Sequence, residues 1–120
     1  MGPTTRFDQV GVWKKAHALV LATYKLTESF PKSETYGLVS QVRRTAVSIP
    51  ANFAEGHKRL GKTDKARFMN IAQGSIEEVR YYLILAQDLG YAQTEQVMQG
   101  LDEVSRMLEA YRARLLTPVS

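Results

Sequence analysis

Two histidines, His17 and His57, and three glutamates, Glu55, Glu77 and Glu78, are the first side chains to weigh for binding a metal or moving a proton. A carboxylate-bridged metal pair in a helical protein needs Glu-x-x-His on two helices and further glutamates on the others. No Glu-x-x-His occurs in the chain. His17 follows Lys15 and Ala16, with no acidic residue within a turn. His57 comes two positions after Glu55, and on a helix those side chains point about 200° apart. Both histidines therefore read as satisfied or exposed groups. There is no cysteine, which removes thiolate ligands, a cysteine nucleophile and any disulfide framework, and agrees with a reducing cytoplasm. Glu55, Glu77 and Glu78 could converge if the second and third helices pack together, raising one carboxyl pKa. Glu55 could equally accept from an arginine or a helix terminus. No Ser/His/Asp set, phosphate-cradling glycine loop or metalloprotease motif is present. The expectation is a protein that is not an enzyme and takes neither metal nor cofactor.

Charge gives a stronger lead. Between Arg43 and Arg67 lie seven basic residues (Arg43, Arg44, Lys58, Arg59, Lys62, Lys65, Arg67) against two acids, a net +5. The rest of the chain holds nine basic and ten acidic residues, a net −1, so the whole excess of +4 sits in this segment. One reading is a solvated loop that keeps the protein dissolved; the other is a phosphate-binding patch. Few aromatics are interleaved with these cations, which favours phosphate contact over base stacking. Arg43 and Arg44 diverge by about 100° on a helix, so they cannot serve one partner. One can pair with an acid across a helix or subunit contact while the other faces solvent or phosphate.

Four helices must position these residues. The first is expected from Asp8, an N-cap with Phe7 and Val12 as a hydrophobic staple, to about Ser29, where Phe30-Pro31 breaks it. The second runs from about Glu34, capped by Ser33, to Lys58. Its apolar residues Leu38, Val42, Ala46, Ile49 and Phe53 recur at steps of four and three straight through Pro50. Proline removes the donor to the Ala46 carbonyl and crowds it, so the helix either stops and restarts or continues with a kink. The unbroken phase favours the kink. Ser48, Asn52 and Glu55 share one side of that helix. The third, capped by Thr63 or Asp64, presents Phe68, Ile71, Ala72, Ser75, Ile76, Val79, Leu83, Ala86 and Leu89 on one face. It ends at Leu89-Gly90-Tyr91 as a Schellman motif. Gly74-Ser75 reads as a small-residue notch for close packing. The fourth starts at Thr94 and follows Val97, Leu101, Val104, Leu108, Tyr111 and Leu115, with Pro118 closing the chain.

Short connections make neighbouring helices antiparallel, so the fold class is all-α, an up-down-up-down antiparallel four-helix bundle filling one domain over residues 1–120. Val39, Val47, Leu60, Tyr82, Leu85 and Met98 lie off the inward faces, which suggests helix surfaces packed against other subunits. No apolar run reaches the ~20 residues that span a bilayer, and the segment from Met1 to Phe7 lacks the apolar core of a signal peptide. A cytoplasmic protein is expected.

Several stretches together resemble a known bacterial four-helix-bundle family. They are Trp13-Lys14-Lys15-Ala16, Phe30-Pro31, Tyr36-Gly37-Leu38, the run from Ser40 to Gly56 through Ser48-Ile49-Pro50-Ala51-Asn52, Arg67-Phe68, Gly74-Ser75, Glu77-Glu78 and Leu89-Gly90-Tyr91. The family comprises proteins encoded in intervening sequences of large-subunit ribosomal RNA genes. It is related to the accessory variability determinant of diversity-generating retroelements. The resemblance runs from about Phe7 to Leu115, and the proline-centred run is its most specific part. It implies a homopentameric, barrel-like ring. The retroelement relative binds nucleic acid through a basic surface and associates with a reverse transcriptase, a partner that attaches to this chain only by analogy. Arg43 and Arg44 occupy the matching double-arginine position. The combined expectation is a non-catalytic, nucleic-acid-associated (RNA or DNA) oligomeric scaffold. The alternative is a protein-binding adaptor ring whose basic charge only confers solubility.

Overall fold

The inward apolar stripes do form four helices. The computed structural model describes residues 5–117, so Pro118 and residues 1–4 lie outside the described part. Helix α1 spans Gly11–Thr27, α2 Leu38–Lys58, α3 Lys62–Asp88 and α4 Glu95–Leu116, with single 3-10 turns at Phe7–Gln9 and Lys32–Glu34. No strand occurs among the described residues. Each helix packs on its sequence neighbours and α4 closes on α1, while the diagonal pairs make no close backbone approach. The result is an up-down-up-down bundle about 53 Å long and 21 × 19 Å across. Its core runs through Val12, Ala16, Leu19, Val42, Ile49, Phe53, Met69, Ile76, Leu83 and Leu101, all but removed from water. A second cluster around Phe30, Leu38 and Ala86 plugs the end where α1 passes into α2.

Helix α2 is continuous through Pro50, whose ring is itself buried. That decides between the two readings of the proline in favour of one helix. Asn52 Nδ2 donates to the Ser48 carbonyl at 2.7 Å and the Ser48 hydroxyl bonds the Thr45 carbonyl, so side chains bind the backbone on both sides of the missing donor. The expected end of α3 is also present. Gly90 has φ +76, its N–H donates to the Gln87 carbonyl, and Tyr91 N–H donates to the Ala86 carbonyl, the paired bonds of a Schellman motif.

The first three helix starts differ from expectation. Asp8 does not cap α1, because it pairs with Arg6 at 2.6 Å in the preceding 3-10 turn. Phe7 meets Trp13 edge-on at 5.3 Å and packs partly buried against the cluster that contains Val12. Helix α2 begins at Leu38, not Glu34; the Glu34 carboxylate accepts from the Leu38 N–H and from the Tyr91 hydroxyl, tying the helix start to the α3–α4 turn. Helix α4 starts where expected, with Thr94 at its N-cap position, although the Thr94 hydroxyl donates to the Gln87 side chain; Ser33, Thr63 and Asp64 make no capping bond. Among the off-face apolar residues, Val39, Tyr82, Leu85 and Met98 pack partly buried against the two clusters and widen the core. Val47 and Leu60 stay exposed, and Ile71 and Leu89, expected inside, are 42% and 50% exposed.

The notch for close packing is not Gly74, which faces open space, but Gly56. A Cβ at Gly56 would stand 2.5 Å from Phe68 Cβ and 2.8 Å from Met69 Cε, so α2 and α3 meet here at a separation only glycine permits. Gly56→Ala is expected to destabilise the fold by about 1–3 kcal/mol through overpacking. Gly74→Ala, at an exposed helix-interior position, should stabilise it by about 0.5–1 kcal/mol. Paired thermal melts check both signs, and two shifts in the same direction would contradict the assignment.

Candidate nucleic-acid interface

The close contact at Gly56 leaves only Arg59, Leu60 and Gly61 to turn from α2 into α3. Lys58 is the last residue of α2, Lys62 the first of α3, and Lys65 and Arg67 follow within two turns. Five of the seven expected cations therefore crowd one end of the bundle. The Arg59 and Arg67 guanidinium carbons lie 4.6 and 4.8 Å from the Phe68 ring centre, held by cation–π attraction. Arg67 pairs with Asp64 at 2.9 Å, and Arg59 approaches the same carboxylate at 3.9 Å. Lys65 Nζ donates to the His57 carbonyl, one of the last acceptors of α2. The Lys58 and Lys62 side chains make no hydrogen bond or ion pair among the described residues, and Leu60 at the tip is fully exposed.

Arg43 and Arg44 do not join this group. Fifteen residues along α2 separate Arg43 from Lys58, about 22 Å at the helical rise. Arg43 clasps α1: its Nε donates to Thr27 Oγ1 at 2.8 Å, an Nη donates to the Tyr24 carbonyl at 3.2 Å, and the guanidinium lies 4.5 Å from the Tyr24 ring centre. Its partners are a hydroxyl, a carbonyl and a ring at the C-terminal end of α1, with no acid involved. Arg44 is exposed and reaches only Ser40 Oγ at 3.5 Å.

The polar side of α2 is a seam with α3. The Ser48 and Ser75 hydroxyls lie 2.7 Å apart, and Glu78 accepts from Thr45 and from the Tyr82 hydroxyl. The three glutamates do not converge: Glu77 takes Arg80, Glu78 takes Thr45 and Tyr82, and Glu55 lines a recess with Lys58, Arg59 and Asp64. Among the described residues no three His, Asp or Glu side chains come together as metal ligands.

The topology adds cations that counting along the chain misses. Antiparallel packing brings the start of α1 and the end of α4 to the α2–α3 turn. Dividing each helix at its middle residue, this end holds eleven basic residues, now including Arg6, Lys14, Lys15, Arg106, Arg112 and Arg114, against four acids, a net +7. The other end holds five basic and eight acidic residues, a net −3. The bundle is a charged rod with opposite ends. Near the positive end, partial burial, Lys65 and Lys58 together hold the His57 imidazole below its ordinary pKa.

Fold and charge thus define a helical-bundle protein with a strongly basic end. Its family model, described as 23S rRNA-intervening sequence protein, matches residues 8–110, and the chain belongs to that family. It is similar in fold to the crystal structure of a protein with unknown function from the S23 ribosomal protein family of Bacteroides thetaiotaomicron VPI-5482. The TM-score is 0.74 at 22% identity, covering 84% of this chain and 97% of that one. No curated protein matches the sequence significantly.

The two arginines should separate by substitution. Arg43→Ala removes charge-assisted bonds between α1 and α2 and is expected to lower stability by about 1–2 kcal/mol, whereas Arg44→Ala should be close to neutral. Denaturant unfolding of both variants is the check, and equal losses would show that the α1 clasp carries no special weight.

Proposed function

We propose that this protein is a non-catalytic scaffold that binds RNA or DNA through the basic end of its bundle, acting in the cytoplasm as an oligomer. The observation that carries the reading is the segregation of charge, +7 at one end and −3 at the other. A mixed-sign surface serves solubility equally well without segregation, whereas a phosphate backbone is attracted by one concentrated sign. Membership of a ribosomal RNA intervening-sequence family is consistent with an RNA ligand. Arg44 and Arg43 are set apart from this end, so the contacts are assigned to Lys58, Arg59, Lys62, Lys65 and Arg67, with Arg6, Arg112 and Arg114 beside them. No helix among the described residues is long and apolar enough to cross a membrane.

Binding to a short single-stranded RNA should weaken roughly 30-fold between 50 and 200 mM salt if three or four phosphates are neutralised. Reversing Lys58, Arg59 and Lys62 to glutamate should abolish it with helical content unchanged, and Arg44→Glu should have little effect. Fluorescence anisotropy with labelled RNA is the measurement. Binding by the triple variant equal to the parent would remove this surface from the function and favour the adaptor reading.

A second observation supports assembly. Leu21, Tyr24 and Val47 are exposed on α1 and α2, Ile71, Tyr81 and Ile84 on α3, and Leu89 just past its end, apolar surface that the core leaves uncovered. We infer a homo-oligomer, with a pentamer as the specific proposal. Light scattering should give about five times the 13.5 kDa chain mass, and a monodisperse monomer would overturn it.

A further inference from the structure

Two recesses flank the α2–α3 turn, and they differ in charge. One contains the Glu55 and Asp64 carboxylates beside Lys58 and Arg59. The other, about 640 Å³ between the N-terminal segment and the turn, is lined by Arg6, His57, Lys58, Arg59 and Lys65, with no acid on its wall. The His57 ring nitrogens have no partner among the described residues, although the ring packs 5.9 Å from Phe53. Lys58 is likewise unpartnered, and Lys65 retains N–H donors beyond the one given to the His57 carbonyl. Arg6 is held by Asp8 and Arg59 by the Phe68 ring, which fixes both near the recess.

We propose that this recess binds a phosphate monoester, and that His57 takes up a proton as the anion binds and donates to it. The inference rests on the nucleic-acid reading and names the chemical group that the basic end takes, a terminal phosphate. A monoester dianion presents three unesterified oxygens and two charges to donors converging from the N-terminal segment, α2, the turn and α3. An internal phosphodiester carries one charge and two such oxygens, and its chain must both enter and leave the recess.

The proton linkage follows from what surrounds His57. Lys58 adjoins it on α2, Lys65 faces it from α3, Arg59 from the turn and Arg6, with its partner Asp8, from the N-terminal segment. From α4, Tyr111 packs on Phe53, kept neutral by burial and with Arg114 nearby. Glu55, on the same helix, points about 200° away. The free site therefore disfavours the imidazolium, and a bound dianion reverses that field. Affinity should be independent of pH where His57 is neutral in both states. It should rise as pH falls through the bound-state pKa and level off below the free-state value. Each unit by which the anion raises that pKa corresponds to about tenfold tighter binding.

The chain has only two histidines, so proton NMR follows both imidazoles, with His17→Gln providing the assignment. Sulfate is the first probe, because it stays a dianion from pH 5 to 8. Adding it should raise the His57 pKa, with the His17 resonances as the internal reference. His57→Gln should still bind sulfate at pH 8 but lose the strengthening at low pH, and Lys58→Ala should weaken binding at every pH. The second arm compares one RNA with a 5′-phosphate and with a 5′-hydroxyl at pH 8, the phosphorylated form binding several-fold tighter. If sulfate leaves the His57 pKa unmoved, or if the two RNAs bind equally and inorganic phosphate does not compete, the proposal is overturned while general RNA binding stands. If sulfate raises the His57 pKa, inorganic phosphate binds and no RNA does, the recess serves a free phosphate, and it is the nucleic-acid reading that falls.

Discussion

The approach of α2 to α3 at Gly56 constrains much of the rest of the molecule. No Cβ fits between that backbone and Phe68 and Met69, so the two helices close to a separation that a three-residue turn can bridge. The short turn then fixes where its cations stand. Lys58, Arg59 and Lys62 have no long loop in which to disperse, and Lys65 is near enough to reach back to the His57 carbonyl. Phe68, whose Cβ meets Gly56, also carries the Arg59 and Arg67 guanidinium groups on its ring. One packing contact thus orders both the core and the basic end.

Stability alone does not account for the placement of those cations. A helix C-terminus favours positive charge and an N-terminus disfavours it. His57 and Lys58 at the end of α2, and Arg114 at the end of α4, therefore sit where the helix dipoles welcome them. Lys62 opens α3, where the dipole opposes it, with Asp64 as the acid in that turn, whereas Lys65 reaches back to the His57 carbonyl at the end of α2, where a cation is favoured. A fold selected only for stability would carry Asp or Glu there. The unfavourable charge of Lys62 at the start of α3 is the part of the basic end that helix stability does not account for.

The apolar periodicity made the helices legible, because a buried stripe tolerates few substitutions and repeats for many turns. It carried the reading through Pro50 and to the Schellman motif at Gly90. Helix starts were less legible, since a polar residue near a start has several competing partners. Asp8 is taken by Arg6, and the work expected of Ser33 is done by Glu34 reaching forward to Leu38; Thr94 does hold the N-cap position of α4, with its hydroxyl turned to Gln87. Gly56 was recoverable, lying three residues after Phe53 on the buried stripe, but the exposed Gly74 drew attention as the notch. For the basic end, counting along the chain picked out the α2–α3 cations but grouped Arg43 and Arg44 with them and left out Arg6, Arg112 and Arg114. Sequence proximity joined what helical rise separates, and only the folded-back topology joins the rest.

Segregated charge also bears on assembly. In a closed cyclic ring every subunit presents the same end to the same rim. Lateral association through the exposed apolar residues of α1, α2 and α3 would therefore gather the +7 ends on one face. Like charges repel across such a rim, so the apolar contacts must outweigh a penalty that grows as salt is removed. A polyanion laid on the rim offsets that penalty and is held by several subunits at once, with the avidity that multivalency brings. Were both proposals to hold, assembly and nucleic-acid binding would favour one another by linkage, each raising the apparent strength of the other. In such a ring, a basic end that repels its copies when empty is an arrangement suited to closing around a phosphate-bearing strand.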